Sequence, residues 1–154
     1  MQQTVTRVDD VVDALIAKLG TLFPAGTEIL DGPRAAQTLG DLVIQVGVGN
    51  SDRAEAYLSE TVVQPGLGER LAETITLYCE MSTWSGDQDH GLQPMRSALA
   101  ANLGLIDNAF RSDPMLGGAV DRVWLGARTR WYALQSPDGA GCGLEFSVTA
   151  KAWL

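Results

Sequence analysis

The feature that most constrains this chain is a pair of long segments near its C-terminal end in which side chains alternate with period two. In the first, Val123, Leu125, Ala127, Thr129, Trp131 and Ala133 fall on one face, and Arg122, Trp124, Gly126, Arg128, Arg130 and Tyr132 on the other. In the second, Cys142, Leu144, Phe146, Val148, Ala150 and Ala152 alternate with Glu145, Ser147, Thr149, Lys151 and Trp153. Extended backbone sends successive side chains to opposite faces, so both segments are read as half-buried β-strands. Pro137-Asp138-Gly139 between them is a turn signal, which makes the two a hairpin.

A third alternating run lies upstream, from Leu71 to Met81. One face reads Leu71, Ile75, Leu77, Cys79 and Met81, broken only by Glu73, and the other Ala72, Thr74, Thr76, Tyr78 and Glu80. Two stretches have helical spacing instead. Val8, Val11, Val12, Leu15, Ile16, Leu19 and Leu22 form one stripe, with Thr6 and Asp9 placed as a capping box and Gly20 and Pro24 expected to end the helix. Leu92, Met95, Leu99, Leu103, Ile106 and Phe110 form the second, with Pro94 near its start and Asp113-Pro114 at its end. Short extended pieces are expected at Thr27–Leu30, closed by Asp31-Gly32-Pro33, and at Asp41–Val48. Gly47–Gly68 has no clear period. It reads as a long excursion with an irregular strand or hairpin in its middle, and deleting only its centre is expected to leave the fold intact.

The expectation is one α+β domain spanning residues 1–154. Its sheet is largely antiparallel or mixed, with four to five strands and two helices packed on one face, in the order α-β-β-loop-β-α-β-β. A chain of 154 residues that is 45% hydrophobic and 19% charged has ordinary globular composition. Its longest apolar stretch, Leu42–Val48, is too short for a membrane span, and no secretory leader is read, so folding in a cytoplasm is expected.

Charge and chemistry narrow the function classes. The net charge is −8, with 14 acids against 5 bases in residues 1–89 and 5 against 6 in residues 90–154. Such a chain repels a phosphate backbone, which argues against nucleic-acid recognition. The one histidine, His90, would have to serve any Ser-His-Asp or Cys-His arrangement, and both cysteines fall on core-directed strand faces as free thiols. Asp87, Asp89 and His90 lack a second ligand cluster and read as a solvated loop before a helix. Gly47-Val48-Gly49-Asn50-Ser51 lacks the Gly-Lys-Ser/Thr ending of a phosphate loop and reads as a turn. No catalytic centre, cofactor site or metal site is expected.

The unusual feature is the second sheet face, which carries Tyr78, Trp124, Tyr132 and Trp153 among Arg122, Arg128, Arg130, Glu80, Glu145 and Lys151. A solvent face is ordinarily Thr, Lys and Glu, whereas Trp, Tyr and Arg together are the composition of interface hot spots. Tyr78, Trp124, Arg128, Arg130, Tyr132 and Trp153 are therefore the candidate subunit interface. The alternative is aromatics scattered on the surface and covered by arginine stems.

The layout resembles the tail terminator (tail completion) proteins of long, non-contractile phage tails. The first helix, Ile29-Leu30-Asp31-Gly32, the strand ending in Val46-Gly47-Val48, and the Leu71–Met81 strand leading through Gly86–Asp89 to a helix occur in that order. Arg111-Ser112-Asp113-Pro114-Met115-Leu116-Gly117-Gly118 and the terminal hairpin ending in Phe146–Trp153 complete the match, which covers nearly all of the chain. The resemblance implies a virion protein assembled in the host cytoplasm. It implies a homo-oligomer, a hexameric ring, that caps the tail tube protein, stops its polymerisation and meets the head-side connector, with DNA passing through the lumen unbound. Arg53, Glu55, Tyr57 and Glu60 are then expected to touch a neighbouring copy or the tube end. The alternatives are another neck protein (head closure or adaptor), or a small ligand-binding or enzymatic domain with a pocket formed by Gly47–Gly68.

Overall fold

Val8–Leu22 forms helix α1, and its stripe turns Val11, Val12, Leu15 and Leu19 into the interior. The computed structural model describes residues 5–33, 42–63, 65–66, 70–85, 91–136 and 139–154. Asp41, Gly68, the Gly86–His90 loop and the Pro137-Asp138 turn lie outside the described residues.

The spine of the sheet is an antiparallel pair of 15-residue strands, β4 (Leu71–Ser85) and β7 (Gly139–Trp153), in register from Ala72↔Trp153 to Ser85↔Ala140. Two strands share the free edge of β4. They are β3 (Tyr57–Val63), opposite Leu71–Leu77, and β2 (Val43–Val46), opposite Cys79–Ser82. Strand β1 (Glu28–Asp31) adds to β2 in parallel. The free edge of β7 is likewise shared by β5 (Arg122–Leu125) and β6 (Arg130–Ser136). The architecture is α+β with a mixed, largely antiparallel sheet of seven strands rather than four to five.

Both extra strands have a physical reason. From Leu125 to Arg130 the chain advances five residues while its partner retreats three, from Val148 to Glu145. The two additional residues leave the alternation in phase, so the sequence reads as one strand across a real break. Strand β3 is the strand expected in the middle of the excursion, but its bounds and pairing are not readable because all but its first residue are exposed, which leaves no apolar face to reveal its period. The middle of the excursion is thus strand β3 of the sheet.

One face is covered by α1 and by α2 (Gln93–Ser112). Ile75, Leu77, Cys79 and Met81 of β4 and Leu144, Phe146, Val148 and Ala150 of β7 pack there with Leu15, Leu99, Ile106 and Phe110 in one core. Burying each large aliphatic side chain contributes about 1.5–3 kcal/mol. Trp131 faces the same side, opposite Leu144, but remains exposed on edge strand β6.

Two details of the helix ends differ from expectation. No capping box forms: Arg7 occupies the N-cap without a side-chain cap, and α1 continues through Gly20 to Leu22 before extended Phe23 stops it. Thr6 is diverted. Its hydroxyl accepts from Val8 N–H at 3.3 Å and donates to Glu73, which also accepts from Arg7 N–H at 2.6 Å and from the Ser59 hydroxyl. Glu73, the polar break in the inward face of β4, is fully buried. Burial pushes its pKa up, but the Ser59 and Thr6 hydroxyls and the Arg7 backbone and charge outweigh it and hold the carboxyl below its usual range.

The Arg111–Gly118 stretch is a pinned turn. The Asp113 carboxylate accepts Gly117 N–H, which holds its pKa low, and pairs with Lys18 of α1 at 3.3 Å. Pro114 C=O accepts Val123 N–H at 2.8 Å, tying the turn to β5.

Candidate functional site

Among the described residues, no helix or strand covers the face of the sheet away from the helices. Register fixes what it presents: Tyr78 stands opposite Ser147, Trp124 opposite Thr149, Arg130 opposite Glu145 and Tyr132 opposite Gly143. Trp153, opposite Ala72, completes the set expected from alternation, and Arg128 projects from the break between β5 and β6. The six candidate interface residues therefore share this outer face. Trp84 joins them, because β4 continues past Met81 to Ser85. The alternation through Ser82, Thr83 and Trp84 was the available signal, muted by its lack of apolar inward residues.

Two of the aromatics lie flat because their cross-strand partners are glycines. Trp84 covers Gly141, where a Cβ would stand 2.7 Å from the ring, and a Cβ on Gly143 would overlap the Tyr132 ring. So placed, Tyr132 reaches across β7 and its hydroxyl donates to Glu80 of β4. Burial raises the Glu80 pKa and nearby Glu145 adds to this, against the Tyr132 hydrogen bond. The Tyr132 pKa is itself raised by burial and by Glu80. Among the described residues, Trp84 Nε1 is buried without a hydrogen-bond partner.

Most of the other aromatics carry a cation. Arg53 stacks 3.4 Å from the Tyr78 centroid, Arg122 lies 5.5 Å from Trp124, and Arg70 and Lys151 lie 5.0 and 4.9 Å from Trp153. Such contacts contribute about 0.5–1 kcal/mol each where exposed.

The start of the excursion folds back onto this face. Asn50 and Arg53 close a two-way backbone turn, and Asn50 Oδ1 accepts Asp52 N–H at 2.9 Å. Asn50 Nδ2 donates to Glu145 at 3.1 Å, and Arg130 bridges Asp52 at 2.5 Å and Glu145 at 3.7 Å. Arg53 donates to the carbonyls of Val48 and Glu55. Between this turn and the sheet lies a cleft of about 440 Å³, lined by Asn50, Arg53, Tyr78, Arg128, Arg130 and Ser147 among others. Arg128 is exposed there and has no hydrogen bond or ion pair among the described residues.

The four candidate loop residues separate. Arg53 belongs to the cleft. Tyr57 begins β3 beside the core with its hydroxyl 3.5 Å from Asp31, and burial together with Asp31 raises its pKa. Glu55 and Glu60 are exposed. The convergence of Asn50 and Asp52 with Glu145 and Arg130 joins residues far apart in the chain, and no local pattern announces it.

The cleft offers guanidinium donors, an aromatic wall and Ser147, which suits an anionic or carboxylate group. Cys79 and Cys142 are buried and not bonded to each other, and burial pushes the Cys79 thiol up to about 12. Among the described residues, no group of three or more His, Cys, Asp or Glu is placed to hold a metal ion, and no helix is long and apolar enough to cross a membrane. Asp87, Asp89 and His90 are outside the described residues. No protein-family model and no curated protein matches the chain.

Proposed function

We propose that the protein is a structural subunit of a phage virion, a tail terminator that assembles as a ring on a long non-contractile tail tube. In this role it stops tube polymerisation and joins the tube to the head-side connector, and DNA passes through the lumen without specific binding. Its partners are further copies of itself in a hexameric ring, the tube protein and the connector. It acts by assembly rather than catalysis, and it is built into the virion tail in the host cytoplasm.

The observation that carries the proposal is the uncovered sheet face. Trp84, Trp124, Tyr78, Tyr132 and Trp153 lie on one side of one sheet, interleaved with arginines, and among the described residues no helix or strand packs over them. Trp, Tyr and Arg are the residues that dominate interface energetics, and with Trp124 exposed and Tyr78, Trp84, Tyr132 and Trp153 half-buried the face leaves aromatic area for a partner to cover. The element order and the pinned Arg111–Gly118 turn support the likeness to tail terminators. Another neck protein would use the same surface and is the nearest alternative.

The cleft of about 440 Å³ favours a second reading, a ligand-binding domain, because its size falls within the range of small-molecule sites. One experiment separates the two. Light scattering and negative-stain imaging of the purified chain over rising concentration should show closed rings. A strict monomer at the highest soluble concentration, still monomeric when mixed with tail tubes, would refute the ring and leave the ligand reading.

A further inference from the structure

We infer that copies join head to tail, the outer sheet face of one receiving the first turns of helix α1 of the next, with Asp9 and Asp13 meeting Arg128 at the cleft. The inference rests on the ring reading above and names the surface that fills the uncovered face.

Charge selects this partner. The outer face and its rim hold Arg53, Arg70, Arg122, Arg128, Arg130 and Lys151, six of the chain's 11 cations, against Asp52, Glu60, Glu80 and Glu145. That patch is net positive on a chain of net charge −8, so the rest of the surface holds all the excess negative charge. Pairing the face with itself across a two-fold axis would set one net-positive patch against another. It would also close at two copies.

Internal partners leave one cation to spare. Arg130 is held by Asp52 and Glu145, and Arg53 by two carbonyls and the Tyr78 ring. Arg128 stands at the same cleft with its guanidinium unpaired among the described residues. On the opposite side of the molecule, α1 exposes Asp9, Asp10 and Asp13. Asp10 is taken by Arg7 at 2.6 Å. Asp9 and Asp13, four residues apart and so one turn apart on one side of the helix, have no partner among the described residues. A contact between opposite layers is heterologous: each copy gives one surface and receives on the other, which closes a ring where the rotations per copy sum to a full turn and gives an open filament where they do not.

The test is a charge swap in the full chain, read by light scattering and thermal melting. Arg128→Glu and Asp13→Arg should each keep the wild-type melting temperature and raise the concentration for assembly about tenfold or more. The double variant Arg128→Glu/Asp13→Arg should recover assembly. So should an equimolar mixture of the two single variants, in which copies alternate and every junction pairs opposite charges. Single variants that assemble like wild type, a double variant no better than the singles, or a wild-type assembly that stops at a two-fold dimer would each overturn the inference while leaving self-assembly standing. A wild-type chain that never assembles would instead remove the ring reading itself.

Discussion

Replacing Glu73 with glutamine tests how the N-terminal segment, the edge strand β3 and the spine of the sheet are held together. The carboxylate accepts from the Thr6 and Ser59 hydroxyls on Oε1 and from Arg7 N–H on Oε2, at a fully buried position. Glutamine keeps one acceptor oxygen. The least costly arrangement turns that oxygen to Arg7 and lets the hydroxyls rotate to accept from the amide. Each charge-assisted bond contributes about 1.5–3 kcal/mol and each neutral one about 0.5–1.5, so three exchanges cost about 2–4 kcal/mol. In a chain of this length that lowers the melting temperature by roughly 5–15 °C.

The sign of the pH dependence follows from the lowered pKa. A carboxyl depressed in the folded state stabilises above its unfolded value, about 4.3, and that stability is lost as pH falls through the folded value. Urea unfolding from pH 7 to 3 should therefore show wild type and Glu73→Gln converging below about pH 4.3. A gap that stays constant over this range, or a variant as stable as wild type at pH 7, would refute the reasoning.

Three further outcomes follow from the packing. Gly143→Ala should lift the Tyr132 ring, break its bond to Glu80 and destabilise by about 1–3 kcal/mol in thermal melts, whereas an unchanged melt would mean the ring has room to move. Trp124→Ala should melt within about 1 kcal/mol of wild type, because the indole is 37% exposed, yet weaken assembly by about 2 kcal/mol; a larger loss of folding than of assembly would make this face core. Cys79 and Cys142 should resist a maleimide in the native protein and react once unfolded in urea, and rapid native labelling would contradict their burial.

What local pattern can reveal here was decided by whether a segment has one buried and one wet face. Helix α1 and the two spine strands do, and their residues alternate or stripe accordingly. Strand β3 is exposed on both sides and showed only as an irregular strand without bounds, and the even-numbered insertion at the β5–β6 break hid itself by keeping phase. Thr6 has the spacing of a capping box, but its hydroxyl donates to a buried carboxylate 67 residues away and accepts from Val8 N–H rather than from Asp9 N–H, and Arg7 takes the N-cap. The aromatic face was legible because parity alone assigns it. The cleft was not, since it needs Asn50 to meet Glu145 and Asp52 to meet Arg130.

The central claim is that the uncovered sheet face exists to be covered by another copy. Imaging the assembled wild-type chain at subunit resolution, alone and on tail tubes, tests it most directly. The account predicts a closed ring in which Tyr78, Trp124 and Trp153 of each copy are buried against its neighbour. A ring that leaves this face in solvent, or no assembly at all, would contradict it.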